Sequence, residues 1–246
     1  PYDLTYDQKN LTKTGSAAYY ITQHEEYEKN INEFYSGDST TKNKMLSKIK
    51  LLQALCNIPV KSLHHSSMSS LKEKIKLLGE KQIEIVCPKF SEIITICAQE
   101  ESGKCLVLLQ RECGLEILSM LLSKHLKKCT SVSGCSASNC HVILIDDVNG
   151  KDKKNQLSKE TLDAYNDPCN ARGEKIKVAC ANARNFGTGV SFLGVRTLII
   201  VNPPTSYSEY EQFVGRAFRT CNSHHLYGNP KFTKRERKVK VIMCIA

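Results

Sequence analysis

The sequence predicts an α/β fold, a parallel sheet layered with helices over residues 88–246, preceded by a helical segment over residues 1–87. Two observations carry this. From Gly103 onward, short wholly apolar runs such as CLVLL, VILI and TLIIV alternate with stretches whose apolar residues recur every three or four positions. Runs of that kind suit strands covered on both faces, and strands separated by helices imply right-handed βαβ crossovers. Before residue 88 only the helical period is found. Tyr20, Ile21, His24, Tyr27, Ile31 and Phe34 form one such stripe, and Met45, Leu46, Ile49, Leu52, Leu55 and Cys56 another. Both are core-facing helix patterns, and the second stops at Asn57 and Pro59.

Taken in order, the polar stretch 64–70 is expected to be an exposed loop, and Gly103 and Lys104 a turn leading into a strand over 105–109. A helix over 115–126 follows, with apolar positions Leu115, Leu118, Leu121, Leu122 and Leu126. The Ser/Cys/Gly-rich 130–139 stretch is a loop, 141–145 a strand, and 158–165 a helix capped at Ser158. Strands are expected over 175–181, 197–201 and 238–246.

Residues 185–224 organise the rest. A glycine loop (Gly187, Gly189) leads to the 197–201 strand, which ends at Asn202, Pro203 and Pro204. Ser206 or Ser208 can then cap a helix whose first turn holds Glu209 and Glu211, where the macrodipole favours anions. On that helix Gln212, Gly215, Arg216 and Arg219 share one face, presenting an amide, a gap and two guanidiniums. Arginine grips phosphate bidentately and keeps its charge, so the pair suits a terminal phosphate whose charge redistributes during transfer. A solvated basic face is the alternative reading of the helix alone.

The sequence RNFGTGVSF at 184–192 followed by QFVGRAFR at 212–219 resembles motifs V and VI of superfamily-two helicases and Swi/Snf-type ATPases. With the trailing Asn222, Ser223 and His224 and the basic KFTKRERKVKVIMCIA stretch, it looks closest to the DNA-dependent ATPases of large cytoplasmic DNA viruses, the early transcription factor small subunit and its nucleoside-triphosphatase relatives. The resemblance is specific over 175–246 and looser over the helical region and CPKFSEI at 87–93. It implies a RecA-like C-terminal lobe in which Arg216 and Arg219 act as arginine fingers on ATP. Gly187, Gly189 and Gln212 would complete the nucleotide contacts, and Asn182, Arg184 and Thr188 would contact nucleic acid. One departure is Ala183, where many relatives place a Ser or Thr that binds a DNA phosphate. The implied partners are DNA, an N-terminal RecA-like lobe of the same protein holding most of the ATP and Mg2+, and RNA polymerase or other transcription proteins.

The composition is compatible with this. The chain of 246 residues has a net charge of +10, which favours polyanions, and 41% hydrophobic content, enough for a core. It opens on Pro1 with no charged-then-apolar leader, as expected of an excised or processed piece, and no apolar run reaches the roughly 20 residues that cross a bilayer. Twelve cysteines without a C-x-x-C spacing point to a reducing compartment: host cytoplasm or virion if viral, nucleus if cellular. Cys129, Cys135, Cys140 and His141 are the one set with any zinc potential, although their spacing is wide and a loop with free thiols is expected; no metal site is assigned. VILIDD at 142–147 imitates a magnesium-holding strand end, yet no G-x-x-x-x-G-K-[ST] stands anywhere in the chain. Cys221 with His224 lacks a third orienting group and is not a nucleophile and base. No G-x-G-x-x-G follows a first strand, against a free-standing dinucleotide enzyme. The other function considered is an inactive nucleic-acid-binding or scaffolding module of the same fold.

Overall fold

The computed structural model describes residues 57, 83–84, 87–100, 103–128, 140–144, 153–186, 190–218 and 239–244. The chain divides into two compact units, Pro1–Phe90 and Ser91–Ala246. The helices expected over 17–34 and 45–56 and the loop over 64–70 lie outside the described residues.

The described elements are α1 (Pro88–Gln99), β1 (Lys104–Leu109), α2 (Leu115–Leu122), β2 (Lys127–Lys128), β3 (Cys140–Leu144), α3 (Lys153–Asn166), β4 (Ile176–Asn182), α4 (Ala183–Phe186), β5 (Val195–Ile200), α5 (Tyr207–Ala217) and β6 (Lys240–Met243). The six strands form one sheet in the order β2-β3-β4-β1-β5-β6, and every pairing is parallel. This is the α/β, RecA-like arrangement expected. The fully buried β1 and β5 explain why their sequences run apolar without alternation.

One face of the sheet carries Leu106, Leu108, Val142, Leu144, Ala179, Ala181, Leu198 and Ile200, packed with Leu162 and Tyr165 of α3, Phe186 of α4, Phe192, and Phe213 and Ala217 of α5. Tyr165 and Phe192 meet edge to face at 5.9 Å. On the other face Ser119 of α2 shares a 3.1 Å hydrogen bond with the buried His141 of β3. There the free thiol of Cys97 in α1 shares a hydrogen bond with that of Cys105 in β1, and this contact first, then burial, pushes the Cys97 thiol well up.

Several boundaries differ from the sequence expectation, each for a tertiary reason. Lys104 is no turn residue but the buried first residue of β1, 1% exposed. Its stem passes the glycines at 173 and 194, and its Nζ donates to the Tyr165 carbonyl at 2.6 Å under the Tyr165 ring. The helix expected to run to 126 stops at Leu122 because Lys127 and Lys128 pair with Cys140 and His141 as a short edge strand. The helix expected from Ser158 begins at Lys153, carried back by good helix formers, so Ser158 lies inside it and is no cap. β3 and β4 shift by a residue, β5 starts at Val195, and β6 is shorter than expected.

The connectivity creates one special position. From β1 the chain leaves over the Ser119 face toward β2, whereas from β5 it turns onto the Phe213 face through α5 toward β6. Adjacent strands whose connections depart in opposite directions leave a crevice at their C-terminal ends. The candidate site is built around that edge.

Candidate functional site

The helix α5 starts as the sequence requires. The Ser206 Oγ accepts from the Glu209 N–H at 3.1 Å, and the Glu209 carboxylate reaches back to the Thr205 N–H at 2.6 Å and its hydroxyl at 2.8 Å. Side chain and backbone cap one another reciprocally, which fixes where the helix leaves the strand. Ser206, not Ser208, is the cap. One turn on, Gln212 is exposed, while Arg216 is only 7% exposed.

Arg216 is tied to the end of the glycine loop twice. Its guanidinium Nη1 donates to the Val190 carbonyl at 3.1 Å, and its main-chain oxygen accepts from the Phe192 N–H at 3.2 Å. The last turn of α5 therefore fixes residues 190–192, and with them the C-terminal end of the loop. Among the described residues a Cβ built on Gly215 meets nothing within 4 Å, so these neighbours do not require glycine there. Gly187, Thr188, Gly189 and Arg219 lie outside the described residues.

At the crest of the sheet, the Asn182 Oδ1 accepts from the N–H groups of Arg111 and Arg184, each at 3.4 Å. It thus links the exits of β1 and β4. Arg184 is more than half exposed and pairs with Glu112 at 3.3 Å, while Arg111 pairs with Glu116 at 2.9 Å. The structure so brings Asn182 and Arg184 together on the crest, and sets Arg216 and Gln212 on α5. Ala183, 8% exposed, opens α4 and has no donor to offer in place of a hydroxyl.

The crevice between β1 and β5 is lined by Leu108, Leu109, Gln110, Ala183, Asn202, Pro203, Pro204, Thr205, Glu209 and Phe213, and is shallow, with room for about one water molecule. Sequence reasoning missed Val190, which acts through its carbonyl, and Gln110, whose Oε1 is buried with no hydrogen-bond partner among the described residues. No side-chain pattern signals a main-chain acceptor. The topological switch at the ends of β1 and β5 becomes visible only when the strand order is known.

Of the thiol set, Cys129 and Cys135 lie outside the described residues, and Cys140 and His141 are buried, successive residues of β3. Neighbours in a strand point to opposite faces, so these two do not share a ligand sphere. Among the described residues no group of three His, Cys, Asp or Glu side chains converges, and no helix is long and apolar enough to cross a membrane. Asp146, Asp147, Cys221 and His224 are outside the described residues.

A sequence profile described as helicase conserved C-terminal domain matches residues 88–221, more than half the chain. No curated protein matches it.

Proposed function

The chain belongs to the helicase conserved C-terminal domain family, and from that premise we propose that it is the C-terminal lobe of a DNA-dependent ATPase, a helicase or translocase serving viral transcription. In this reading it supplies arginine fingers and part of the DNA track to an active site completed by an N-terminal RecA-like lobe. The observation that carries it is the pair of bonds, from the Arg216 guanidinium to the Val190 carbonyl and from the Phe192 N–H to the Arg216 main-chain oxygen, which tie the arginine helix to the residues that follow the glycine pair in sequence. A γ-phosphate gripped by Arg216 and Arg219 would then be coupled to a loop lying between nucleotide and nucleic acid.

Two observations support a nucleotide reading of α5: Gln212 is exposed, and among the described residues nothing crowds Gly215. Gly187 and Gly189 would let the loop backbone come close to the nucleotide. Bound Mg2+ would neutralise the β- and γ-phosphates, held mainly by the first lobe. The guanidiniums of Arg216 and Arg219 would stabilise the charge that spreads over the transferring phosphoryl group, an effect concentrated in the transition state. Asn182, Arg184 and Thr188 would meet the nucleic-acid backbone, and RNA polymerase or other transcription proteins would be further partners. The thiol-rich composition supports a reducing, intracellular setting such as a viral factory, a virion or a nucleus.

A phosphate-release assay on the 246-residue chain, with and without DNA, tests the division of labour. No magnesium-dependent turnover is expected from it. Turnover that follows this chain through purification fractions and is abolished by chelating magnesium would mean the site is complete here and the two-lobe reading wrong.

A further inference from the structure

Just before β5, Val190, Ser191 and Phe192 belong to no helix or strand, yet each is buried or half-buried. Their main-chain groups need partners that no sheet ladder supplies. Two helices supply them from opposite sides. The Val190 carbonyl and the Phe192 N–H are taken by α5, through the Arg216 guanidinium at 3.1 Å and the Arg216 main-chain oxygen at 3.2 Å. The Ser191 carbonyl and the Leu193 N–H are taken by Asn166, the last residue of α3. Its Nδ2 donates to the first at 2.9 Å and its Oδ1 accepts from the second at 2.8 Å. In an extended chain the C=O of one residue and the N–H two residues on serve the same neighbour. Asn166 thus lines one edge of residues 190–193 as a partner strand would, and Arg216 lines the other. Only an amide can do this, because a carboxylate would set an oxygen against the Ser191 carbonyl. Packing is supplied separately, by the edge-to-face contact of Phe192 with Tyr165.

We propose that Asn166 is a positioning residue for ATP hydrolysis, setting Arg216 through the segment the two share. The inference rests on the arginine-finger reading of Arg216. Without the Asn166 bonds, Val190 and Phe192 keep Arg216 but lose their tie to α3, and the guanidinium shifts with them. A displacement of about 1 Å is enough to cost on the order of a hundredfold in rate. Ground-state binding of nucleotide and DNA, made mainly by other groups, changes little.

The test uses Asn166→Ala and the nearly isosteric Asn166→Asp, each alone and combined with Arg216→Ala, in the proposed two-lobe protein. Each Asn166 variant alone should lower kcat per folded molecule by on the order of ten- to a hundredfold, with KM for ATP and DNA affinity moving less than about threefold. Added to Arg216→Ala, neither should lower turnover further, because a residue that acts through Arg216 then has nothing to position. A merely structural amide would lower stability and leave kcat of the folded molecules intact. In the 246-residue chain, Asn166→Ala should speed hydrogen exchange of the Leu193 amide while β5 stays protected. Asn166→Asp keeps that acceptor and should keep Leu193 protected. Three results would each overturn the proposal and leave the finger reading standing: kcat within about twofold of normal in folded Asn166→Asp where Arg216→Ala is inactive, a loss that multiplies that of Arg216→Ala, or unchanged Leu193 exchange in Asn166→Ala. Near-normal turnover of folded Arg216→Ala would remove the finger reading, and this inference with it.

Discussion

The Arg216 guanidinium spans from the last turn of α5 to the Val190 carbonyl, 3.1 Å away and 26 residues earlier in the chain. A residue so placed holds the structure together as well as offering charge. Arg216→Ala in the two-lobe protein is therefore expected to act twice. Removing charge stabilisation of the transition state should lower turnover by on the order of a thousandfold. Stranding a buried carbonyl should lower stability by about 1–3 kcal/mol. Arg216→Lys should recover part of the stability and little of the turnover, since a point charge does not reproduce the planar fork. ATPase rate per folded molecule and thermal melting on the same samples separate the two effects. Near-normal turnover of folded Arg216→Ala would remove the main support for the finger role.

Gly215 offers the reverse separation. Because a methyl group there meets nothing within 4 Å among the described residues, Gly215→Ala should stabilise the chain by about 0.5–1 kcal/mol through helix propensity alone. If nucleotide or the other lobe occupies that space, the same methyl should raise KM or lower kcat in the two-lobe protein. A variant both more stable and fully active would show that nothing approaches the helix at this point.

Much of the lobe was legible because β1, β3 and β5 are largely buried on both faces, which leaves the short runs CLVLL, VILI and TLIIV in the sequence. The cap of α5 was legible for a local reason, since Ser206 and Glu209 are three residues apart and satisfy one another's backbone. Long-range determinants were not. Lys104 follows a glycine and reads as a turn, yet Tyr165, 61 residues later, gives its ammonium a carbonyl and draws it into the strand. Lys127 and Lys128 read as helix or basic surface, and only their pairing with β3 makes them a strand. At the site, spacing set Gln212 and Arg216 on one helix but gave no hint that Arg216 is buried against Val190.

Arg184 and Glu112 are both more than half exposed, so their 3.3 Å pair is worth little to the fold and competes with any phosphate for the guanidinium. Arg184→Ala should weaken DNA binding at low salt and reduce the slope of log affinity against log salt by about one. Glu112→Gln should strengthen binding modestly by releasing the guanidinium. Fluorescence anisotropy over a salt series, on two unrelated duplexes, measures both. An unchanged slope in Arg184→Ala would remove Arg184 from the DNA track, and weaker binding by Glu112→Gln would show that the ion pair orders the crest rather than competing with DNA.

Lys104 should make stability rise with pH over a defined interval. Burial lowers its pKa from 10.5 to about 7, with Arg196 acting in the same direction and Glu174 and Asp167 against it. Between those values the unfolded chain holds a proton that the folded chain has released, so raising the pH favours folding; below pH 7 both states are protonated and the cost of burying the charge is constant. From about pH 9 the buried thiols oppose this, because Cys87 is pushed up to about 12 by burial and the unfolded chain ionises first. The clean window is thus pH 7 to 9, where Lys104 should contribute a gain of about 2 kcal/mol, less whatever solvent penetration relieves. Lys104→Met keeps the stem packing and removes the titration, while the thiol contributions cancel between the two proteins. Denaturant unfolding of both at half-unit pH steps should therefore show the native chain gaining on the variant as pH rises. Parallel curves would mean that Lys104 stays protonated in the fold, held by its 2.6 Å bond to the Tyr165 carbonyl and the ring above it.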